Sequence, residues 1–394
     1  MASLRHWWRR LAGAFKDRRS LLLARLRPRR APRHHRELEA AVIRATSHED
    51  RWVDYRSAAR VFAWARASPS HLRPVLWALA RRARRTRSWV VALKALMLAH
   101  GLLLRSPPAP APAGCAGRVL PFDLADFRDR SSPAAKRVAF SAFVRAYFRF
   151  LDHRCLFATQ EHVDAGDEFG VCDHRSASLD RVRKLQLLLD LLLQIRPCAG
   201  GMAVPLVLEA MDCALVEILR IYGEICTGIA RFLVTGVPAG PAKPRRSKGT
   251  AAAAGVKVIW RAAEQSAQLS SYFELCRGLG VVNARRLPAA FVRVSDDDAR
   301  RLERILMGGA AQPDDAGGEE PAERMAPAEV KDAGSASKTT AAGTEWVPFG
   351  RKKPGGVGGG GGGGGEGSVG DHWNPFVMAQ LDVRDREGGN LIEL

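Results

Sequence analysis

The chain has 394 residues, and its 61 Lys and Arg against 41 Asp and Glu give a formal net charge of +20. That excess predicts a polyanionic partner, and a hydrophobic share of 46% excludes a wholly disordered chain. Seven cysteines without a CxxC pair, no apolar leader and no apolar stretch of about 18 residues predict a reduced, cytosolic protein without a spanning helix.

The first 36 residues form a separate basic segment, with twelve Arg and Lys against Asp17 alone. Leu4, Trp7, Trp8, Leu11 and Phe15 fall on one face of a helix, and Arg5, Arg9, Arg10 and Lys16 flank it. Aromatic side chains beside cations favour the headgroup boundary of an anionic membrane. The segment is therefore predicted to lie on a membrane, with Trp7, Trp8, Leu11 and Phe15 inserted. A helix docked on the domain core and an unstructured nuclear-targeting arm are the alternatives.

Residues 37–307 are predicted to form a helical domain, because apolar side chains recur there at helical spacing and no alternating strand pattern is found. Residues 89–104 are apolar on nearly all sides and should occupy the centre. In residues 185–195 the polar residues Gln186, Asp190 and Gln194 should form a narrow wet stripe. Residues 106–117 and 235–254 are expected to be loops. The predicted fold is all-α, a stack of antiparallel helix pairs.

Five arginines stand close together just before the central helix: Arg81, Arg82, Arg84, Arg85 and Arg87. Guanidinium groups bind phosphate oxygens bidentately, so the cluster indicates a phosphate-binding surface, with a solvated charged face as the alternative. The glycine run 358–365 has no preceding strand and is not a nucleotide loop. No acid and base pair and no set of metal ligands stands out, which predicts a protein without enzymatic activity, cofactor or metal.

Seven stretches of this domain resemble the ANTH domain of plant clathrin-assembly proteins, which is related to the ENTH domain of epsins. They are residues 38–49 (LEAAVIRATSHE), 86–103 (TRSWVVALKALMLAHGLL), 120–129, 143–151, 185–197, 208–226 and 272–292. The resemblance covers about residues 37–293. It implies an ANTH-type helical solenoid that binds phosphatidylinositol 4,5-bisphosphate on the membrane, followed by a tail that recruits coat proteins.

The resemblance also implies a headgroup site, in which a basic residue late in the first domain helix precedes a loop rich in lysine and histidine. Arg44 stands at the first position. The loop is shorter here and partly acidic, so the expected site combines residues of the helix and loop with the arginine cluster and a central lysine. The expected phosphoinositide ligands are Arg44, His48, Arg51, Arg81, Arg82, Arg84, Arg85 and Lys94.

The tail, residues 308–394, carries eight basic and fourteen acidic residues and should be a flexible tether. Asn374, Pro375 and Phe376 spell NPF, a ligand of EH domains. Trp346 with Phe349, and Trp373 with Phe376, form WxxF motifs similar to adaptor-appendage ligands. Leu391, Ile392 and Leu394 belong to a terminal LIEL that approximates a clathrin box. A fold-back of a tryptophan onto the domain is the alternative.

The sequence is thus interpreted as an endocytic adaptor whose partners are anionic phosphoinositide membrane, the clathrin heavy chain, and EH-domain and appendage proteins. Clathrin-coated pits of the plasma membrane, clathrin-coated vesicles and the Golgi are the expected locations. No nucleic acid is expected as a partner. Two other functions stay open: a basic nucleic-acid binder, and a protein-docking module without lipid binding, with a vesicle SNARE as partner.

Overall fold

The computed structural model describes residues 2–26, 33–103, 120–166, 174–236, 247–285 and 294–307. These residues form ten α-helices, two short 3-10 turns and their connections, and no strand occurs among them. The all-α prediction is confirmed. The helices are α1 (Ala2–Arg25), α2 (Arg33–Ala45), α3 (Tyr55–Ala67), α4 (Leu72–Arg85), α5 (Trp89–Leu103), α6 (Ala134–Gly166), α7 (His174–Leu193), α8 (Pro205–Gly236), α9 (Ser247–Leu279) and α10 (Asp296–Leu306).

Helices that follow one another in the chain pack side by side, α4 on α5, α5 on α6, α6 on α7, α7 on α8, α8 on α9 and α9 on α10. One continuous hydrophobic core runs through the stack.

The predicted tail motifs lie outside the described residues; they are Trp346, Phe349, Trp373, Asn374, Pro375, Phe376, Leu391, Ile392 and Leu394.

Helix α5 is the centre of the stack, as its composition predicted. Every residue from Trp89 to Leu102 is buried, including Lys94 and His100. Burial lowers the pKa of His100 to about 4, and its Nδ1 lies 2.8 Å from the Tyr147 hydroxyl oxygen. His100 is therefore a neutral core residue that helps to join α5 to α6.

The prediction of a wet stripe on α7 is wrong at Gln186, which is buried, whereas Asp190 is partly exposed and Gln194, just after the helix, is exposed. The Gln186 side chain is buried and its amide Nε2 donates to the Val258 carbonyl at 2.9 Å. In return Gln265 Nε2 donates to the Gln186 carbonyl and to Asp190 Oδ1, at 2.8 and 2.7 Å. Gln186 and Asp190 thus lie at the interface between α7 and α9 and form hydrogen bonds with α9.

The prediction that residues 235–254 form a loop is wrong at both ends. Helix α8 continues to Gly236, and α9 already begins at Ser247. Residues 251–254 are four consecutive alanines, and alanine has the highest helix propensity of all residues. The following Gly255 lies against the Phe232 ring, so close that a Cβ on this residue would overlap ring carbon Cε1. A glycine there allows α8 and α9 to approach.

Candidate functional site

Helix α1 presents an apolar face away from the domain. Trp8 is 64% exposed and Phe15 is 71% exposed, and Leu11 lies between them in the same row. Leu22 and Leu26 extend this row and are also exposed. At 100° per residue the row lies opposite the buried residues of the helix. We call the five side chains Trp8, Leu11, Phe15, Leu22 and Leu26 the outer row; Trp7 lies beside it, in edge contact with Trp8 at a centroid distance of 5.3 Å.

The opposite face of α1 docks on the domain by small and polar residues. A Cβ on Gly13 would meet the Cβ of His48 at 2.7 Å, so only glycine permits this approach of helix and loop. Arg10 Nη2 forms an ion pair with Glu49 Oε2 at 2.8 Å. The helix is thus docked on the domain, one of the alternatives considered for this segment, but with its apolar side outward. Membrane insertion by Trp7, Trp8, Leu11 and Phe15 stays a prediction.

Asp17 is the polar centre of the docked face. Its Oδ2 accepts the His48 backbone N–H at 2.8 Å, while Oδ1 lies 2.8 Å from His48 Nδ1 and 2.5 Å from Arg82 Nη2. Burial alone would raise the pKa of Asp17, but hydrogen bonds from His48 and the charges of His48 and Arg82 outweigh it and lower the pKa. The carboxylate is therefore charged at neutral pH and joins α1 to the 46–54 loop and to α4.

Lys94 supports the 46–54 loop from beneath. Its ammonium group is fully buried and donates to the carbonyls of Glu49 and Trp52, at 2.6 and 2.9 Å, and to Ser47 Oγ at 3.3 Å. Burial lowers the pKa of Lys94 to about 8, and nearby carboxylates, Glu209 first among them, partly offset that effect. The predicted contact of Lys94 with a headgroup would require it to give up these three oxygens.

Glu209 and Tyr55 extend this buried polar group into α8 and α3. The Tyr55 hydroxyl donates to Glu209 Oε1 at 2.6 Å. Burial raises the pKa of Glu209 to about 7, against the lowering effects of the Tyr55 hydrogen bond and the Lys94 charge. Because the same burial raises the pKa of the Tyr55 phenol far above its usual value, the phenol keeps its proton. The loop is thus anchored to the core by a charged lysine and a carboxyl that titrates near neutral pH.

An open depression of about 440 Å³ lies between α1, the end of α2 and the 46–54 loop. Arg44 lies on its wall and makes no ion pair with any described residue. Arg51 and Trp52 lie on the exposed side of the loop, and Trp52 is 56% exposed. The residues lining the depression are Asp17, Leu21, Ile43, Arg44, Ser47, Trp52, Val53, Asp54 and Tyr55. The structure thus places Arg44 and Trp52 on the wall of one depression, and Arg51 is the exposed neighbour of Trp52 in the loop.

The arginine cluster at the end of α4 divides into inward and outward members. Arg81 pairs with Glu39 and lies over the Trp77 ring, its Cζ 4.5 Å from the ring centroid. Arg82 points inward to Asp17, whereas Arg84 donates to the Pro121 carbonyl at 2.9 Å at an exposed position. Arg85 and Arg87 are exposed.

Three features of this end of the molecule were not predicted. Asp17 could have been singled out from the sequence, since it is the only acidic residue among the first 36. Leu22 and Leu26 continue the spacing of Leu11 and Phe15 by seven and four residues, so the row could have been extended. Trp52 had no periodic pattern around it.

Among the described residues no helix is long and apolar enough to cross a membrane, and no cluster of His, Cys, Asp and Glu could hold a metal ion.

Comparisons with known proteins place residues 37–307 in a recognised family, because this stretch matches the ANTH domain. "Putative clathrin assembly protein At1g25240" of Arabidopsis thaliana is 42% identical over 301 residues, which cover 76% of each chain. Two further Arabidopsis proteins of the same description, At1g68110 and At1g14686, are 41% and 36% identical and share 76% of this chain, over 76% and 81% of their own lengths. The domain match spans more than half of the 394 residues, and the chain therefore belongs to the ANTH domain family.

Proposed function

We propose that this protein is a peripheral membrane adaptor in clathrin assembly, which binds anionic, phosphoinositide-containing membrane with its front end and recruits clathrin and accessory proteins with its tail. The names of the related proteins support the clathrin-assembly part of the proposal. The part that concerns lipid rests on the geometry of α1 and of the neighbouring loop. No catalytic step is assigned to the protein.

The observation that carries the proposal is the outer row of α1. Monomeric proteins rarely expose a contiguous set of large apolar side chains without using it for a partner or a membrane. Four cations, Lys16, Arg18, Arg19 and Arg25, are exposed on both sides of the row. Each lysine or arginine near an anionic bilayer contributes on the order of 1 kcal/mol to the free energy of membrane binding. Each inserted aromatic side chain contributes further binding free energy, because its apolar surface leaves water. An apolar row between cations fits the interface of such a bilayer.

The cations near the depression supply the headgroup contacts in this proposal. Arg44 and Arg51 are the proposed ligands at the loop, and Arg84 and Arg85 are exposed at the end of α4. Guanidinium groups offer forked donors that fit phosphate oxygens. Arg81 and Lys94 act behind them, since each already has a partner within the domain, and His48 and Arg82 are paired with Asp17 of α1.

The tail supports the recruiting part of the proposal by its sequence alone. NPF, two WxxF motifs and a terminal LIEL lie within the last 49 residues of the chain. Short anchors on one thread gain avidity when several are engaged at once, so weak single motifs suffice. The proposed partners are the clathrin heavy chain and EH-domain and appendage proteins.

The lipid-binding part is tested by co-sedimentation with vesicles that contain phosphatidylserine and phosphatidylinositol 4,5-bisphosphate, at physiological salt. The variant is Arg18→Glu with Arg19→Glu, which reverses two exposed cations beside the outer row. Its matched control is Arg183→Glu with Lys184→Glu, two adjacent exposed cations on α7. We expect the α1 variant to lose most binding and the α7 variant to keep it.

Duplex and single-stranded nucleic acids are measured in parallel with the same proteins. Tight binding of wild type to nucleic acid without binding to the vesicles would overturn the proposal and favour the nucleic-acid function. Equal losses in the α1 and α7 variants would show a diffuse attraction to net charge in place of a site on α1.

A further inference from the structure

Asp17 is an acidic residue in a segment whose other charged residues are all basic. It is the single acid among twelve cations in residues 1–36, and it lies where three donors of the domain converge. Its side chain is only 15% exposed, although α1 as a whole lies on the surface. The carboxylate belongs to a helix before the ANTH match, whereas His48 and Arg82 belong to the matched domain. The domain thus holds an anion that a neighbouring segment provides.

The Arg82 guanidinium group is held mainly by the matched domain, and its Nη1 also donates to Ser20 Oγ of α1 at 3.4 Å. Arg82 Nη2 also donates to the Thr46 carbonyl at 2.9 Å, and Arg82 Nε donates to Thr46 Oγ1 at 3.2 Å. Thr46 is fully buried, and its own hydroxyl donates to the Val42 carbonyl at 2.6 Å. The guanidinium group is therefore oriented by α2 and its following loop. We call His48 N–H, His48 Nδ1 and the Arg82 guanidinium group the anion cradle.

The cradle has the chemistry of a phosphate site. It combines a forked cation, an imidazole that is a second cation when protonated, and a backbone N–H, and all three face two oxygens of one anion. Asp17 also lines the open depression whose wall carries Arg44. A phosphate monoester entering from that side would bring its oxygens to the same donors. An anion of this kind would meet the Asp17 carboxylate as a competitor.

We propose that Asp17 is a tethered substitute for a phosphate group, so that α1 occupies the anion cradle until the phosphate of a membrane headgroup replaces the carboxylate. This inference rests on the proposed function, since it specifies how the lipid site is controlled. Displacing Asp17 removes a tie between α1 and the domain. On a bilayer the outer row is buried and offsets that loss, whereas a free inositol phosphate brings no such compensation. The cradle therefore selects headgroups that are embedded in a membrane.

The test compares wild type with Asp17→Asn, which keeps the size of the side chain and removes its charge. Inositol 1,4,5-trisphosphate is titrated into each protein in a calorimeter, and circular dichroism checks that helix content is unchanged. We expect the variant to bind about tenfold tighter than wild type, because hydrogen bonds to charged groups are the strong ones. Asp17→Glu keeps the competing carboxylate and should stay near wild type.

The matched control is Glu37→Gln, which changes the net charge by the same amount at an exposed position on α2, about two turns before Arg44. An equal gain in Glu37→Gln and Asp17→Asn, or no gain in either, would overturn the inference. The double variant Asp17→Asn with His48→Ala should lose the gain. A gain that survives in the double variant would show that the ligand binds elsewhere, which also contradicts the inference.

Vesicles with and without phosphatidylinositol 4,5-bisphosphate separate this inference from the proposed function. We expect Asp17→Asn to improve binding to the soluble trisphosphate more than binding to the vesicles. On a bilayer, burial of the outer row already offsets the loss of the Asp17 contacts, whereas nothing offsets that loss for the soluble ligand. Wild type that binds the vesicles, with no effect of Asp17→Asn in either assay, overturns the inference and leaves the proposed function standing. Wild type that ignores the vesicles overturns the proposed function, whatever the trisphosphate titrations give.

Discussion

Helices α1 and α3 are both amphipathic and both rich in arginine, yet they lie on the domain in opposite senses. Helix α3 buries Ala58, Val61 and Phe62 and leaves its arginines outside. Helix α1 buries Gly13 and Ala24, turns Asp17 toward the domain and leaves Trp8 and Phe15 outside. The orientation of α3 follows from the hydrophobic effect. That of α1 is set by a close glycine contact and by ion pairs, and its apolar side has no partner among the described residues of the chain. A helix that folds with its apolar side outward leaves that side free to contact a membrane or another apolar partner.

The largest difference between the two helices should appear in stability. Phe62→Ala removes a buried ring and should lower the free energy of unfolding by about 3 to 5 kcal/mol. Phe15→Ala removes an exposed ring and should change it by less than about 0.5 kcal/mol. Urea unfolding of both variants measures this. A cost for Phe15→Ala as large as that for Phe62→Ala would mean that the outer row is packed in solution.

Membrane affinity should show the reverse order. Trp8→Ala with Phe15→Ala should weaken binding to anionic vesicles about a hundredfold, because burying an aromatic side chain contributes about 1.5 to 3 kcal/mol. Val138→Ala on α6 is the control, since Val138 is also exposed but lies far along the chain from α1. Flotation assays over a range of lipid concentrations give both affinities. If Val138→Ala weakened binding as much, the outer row would have no special part in it.

The anchoring of α3 should depend on pH, through Glu209. Its pKa is about 7 in the folded protein against a usual value of 4.5, so the folded state keeps a proton that the unfolded chain releases. Stabilisation by this group is complete below about pH 4.5 and is lost as the pH rises through about 7. We expect the free energy of unfolding of wild type to fall by about 3 kcal/mol more over this interval than that of Glu209→Gln.

The control for this pH dependence is Glu274→Gln, which changes an exposed glutamate on α9. Its unfolding profile against pH should follow wild type. A Glu209→Gln profile with the wild-type slope would contradict the assignment of the buried proton to Glu209.

The smallest effect concerns the docking of α1. The Arg10 and Glu49 side chains are 37% and 21% exposed, and such pairs contribute less than about 1 kcal/mol. Arg10→Gln should therefore leave global stability nearly unchanged while hydrogen exchange of the α1 amides becomes faster. Mass spectrometry of the peptides of α1 and α3 resolves the two regions. Equal acceleration in α3 would show that the two helices open as one unit.

Periodicity and composition were enough to predict the all-α architecture, the central position of α5 and the apolar face of α1. Each of these depends on the order of apolar residues along one segment. The burial of Gln186 between α7 and α9 was not predicted because its partner, the Val258 carbonyl, lies 72 residues away. Polar side chains in a helical row look alike whether they face water or another polar row.

The candidate site was predicted less completely for the same reason. Arg44, Arg51 and the arginine cluster do lie at the end of the domain that also carries α1. The burial of Lys94 and the pairing of Arg82 with Asp17 depend on contacts across 42 to 65 residues, which spacing alone does not reveal. Charge counting treated every cation as available to a ligand. The structure shows that four of the eight predicted ligands, His48, Arg81, Arg82 and Lys94, use their polar groups to hold the loop, α1 and α2 in place.

Entry of the outer row of α1 into the membrane, as proposed above, can be measured directly. An environment-sensitive dye is attached to a single cysteine at position 15, in a protein without other reactive cysteines, and at position 138 as the reference. On addition of anionic vesicles the dye at position 15 should shift to the blue and brighten, while the dye at position 138 should not change. A dye at position 15 that stays in water while the protein is bound to the vesicles would contradict insertion of the outer row.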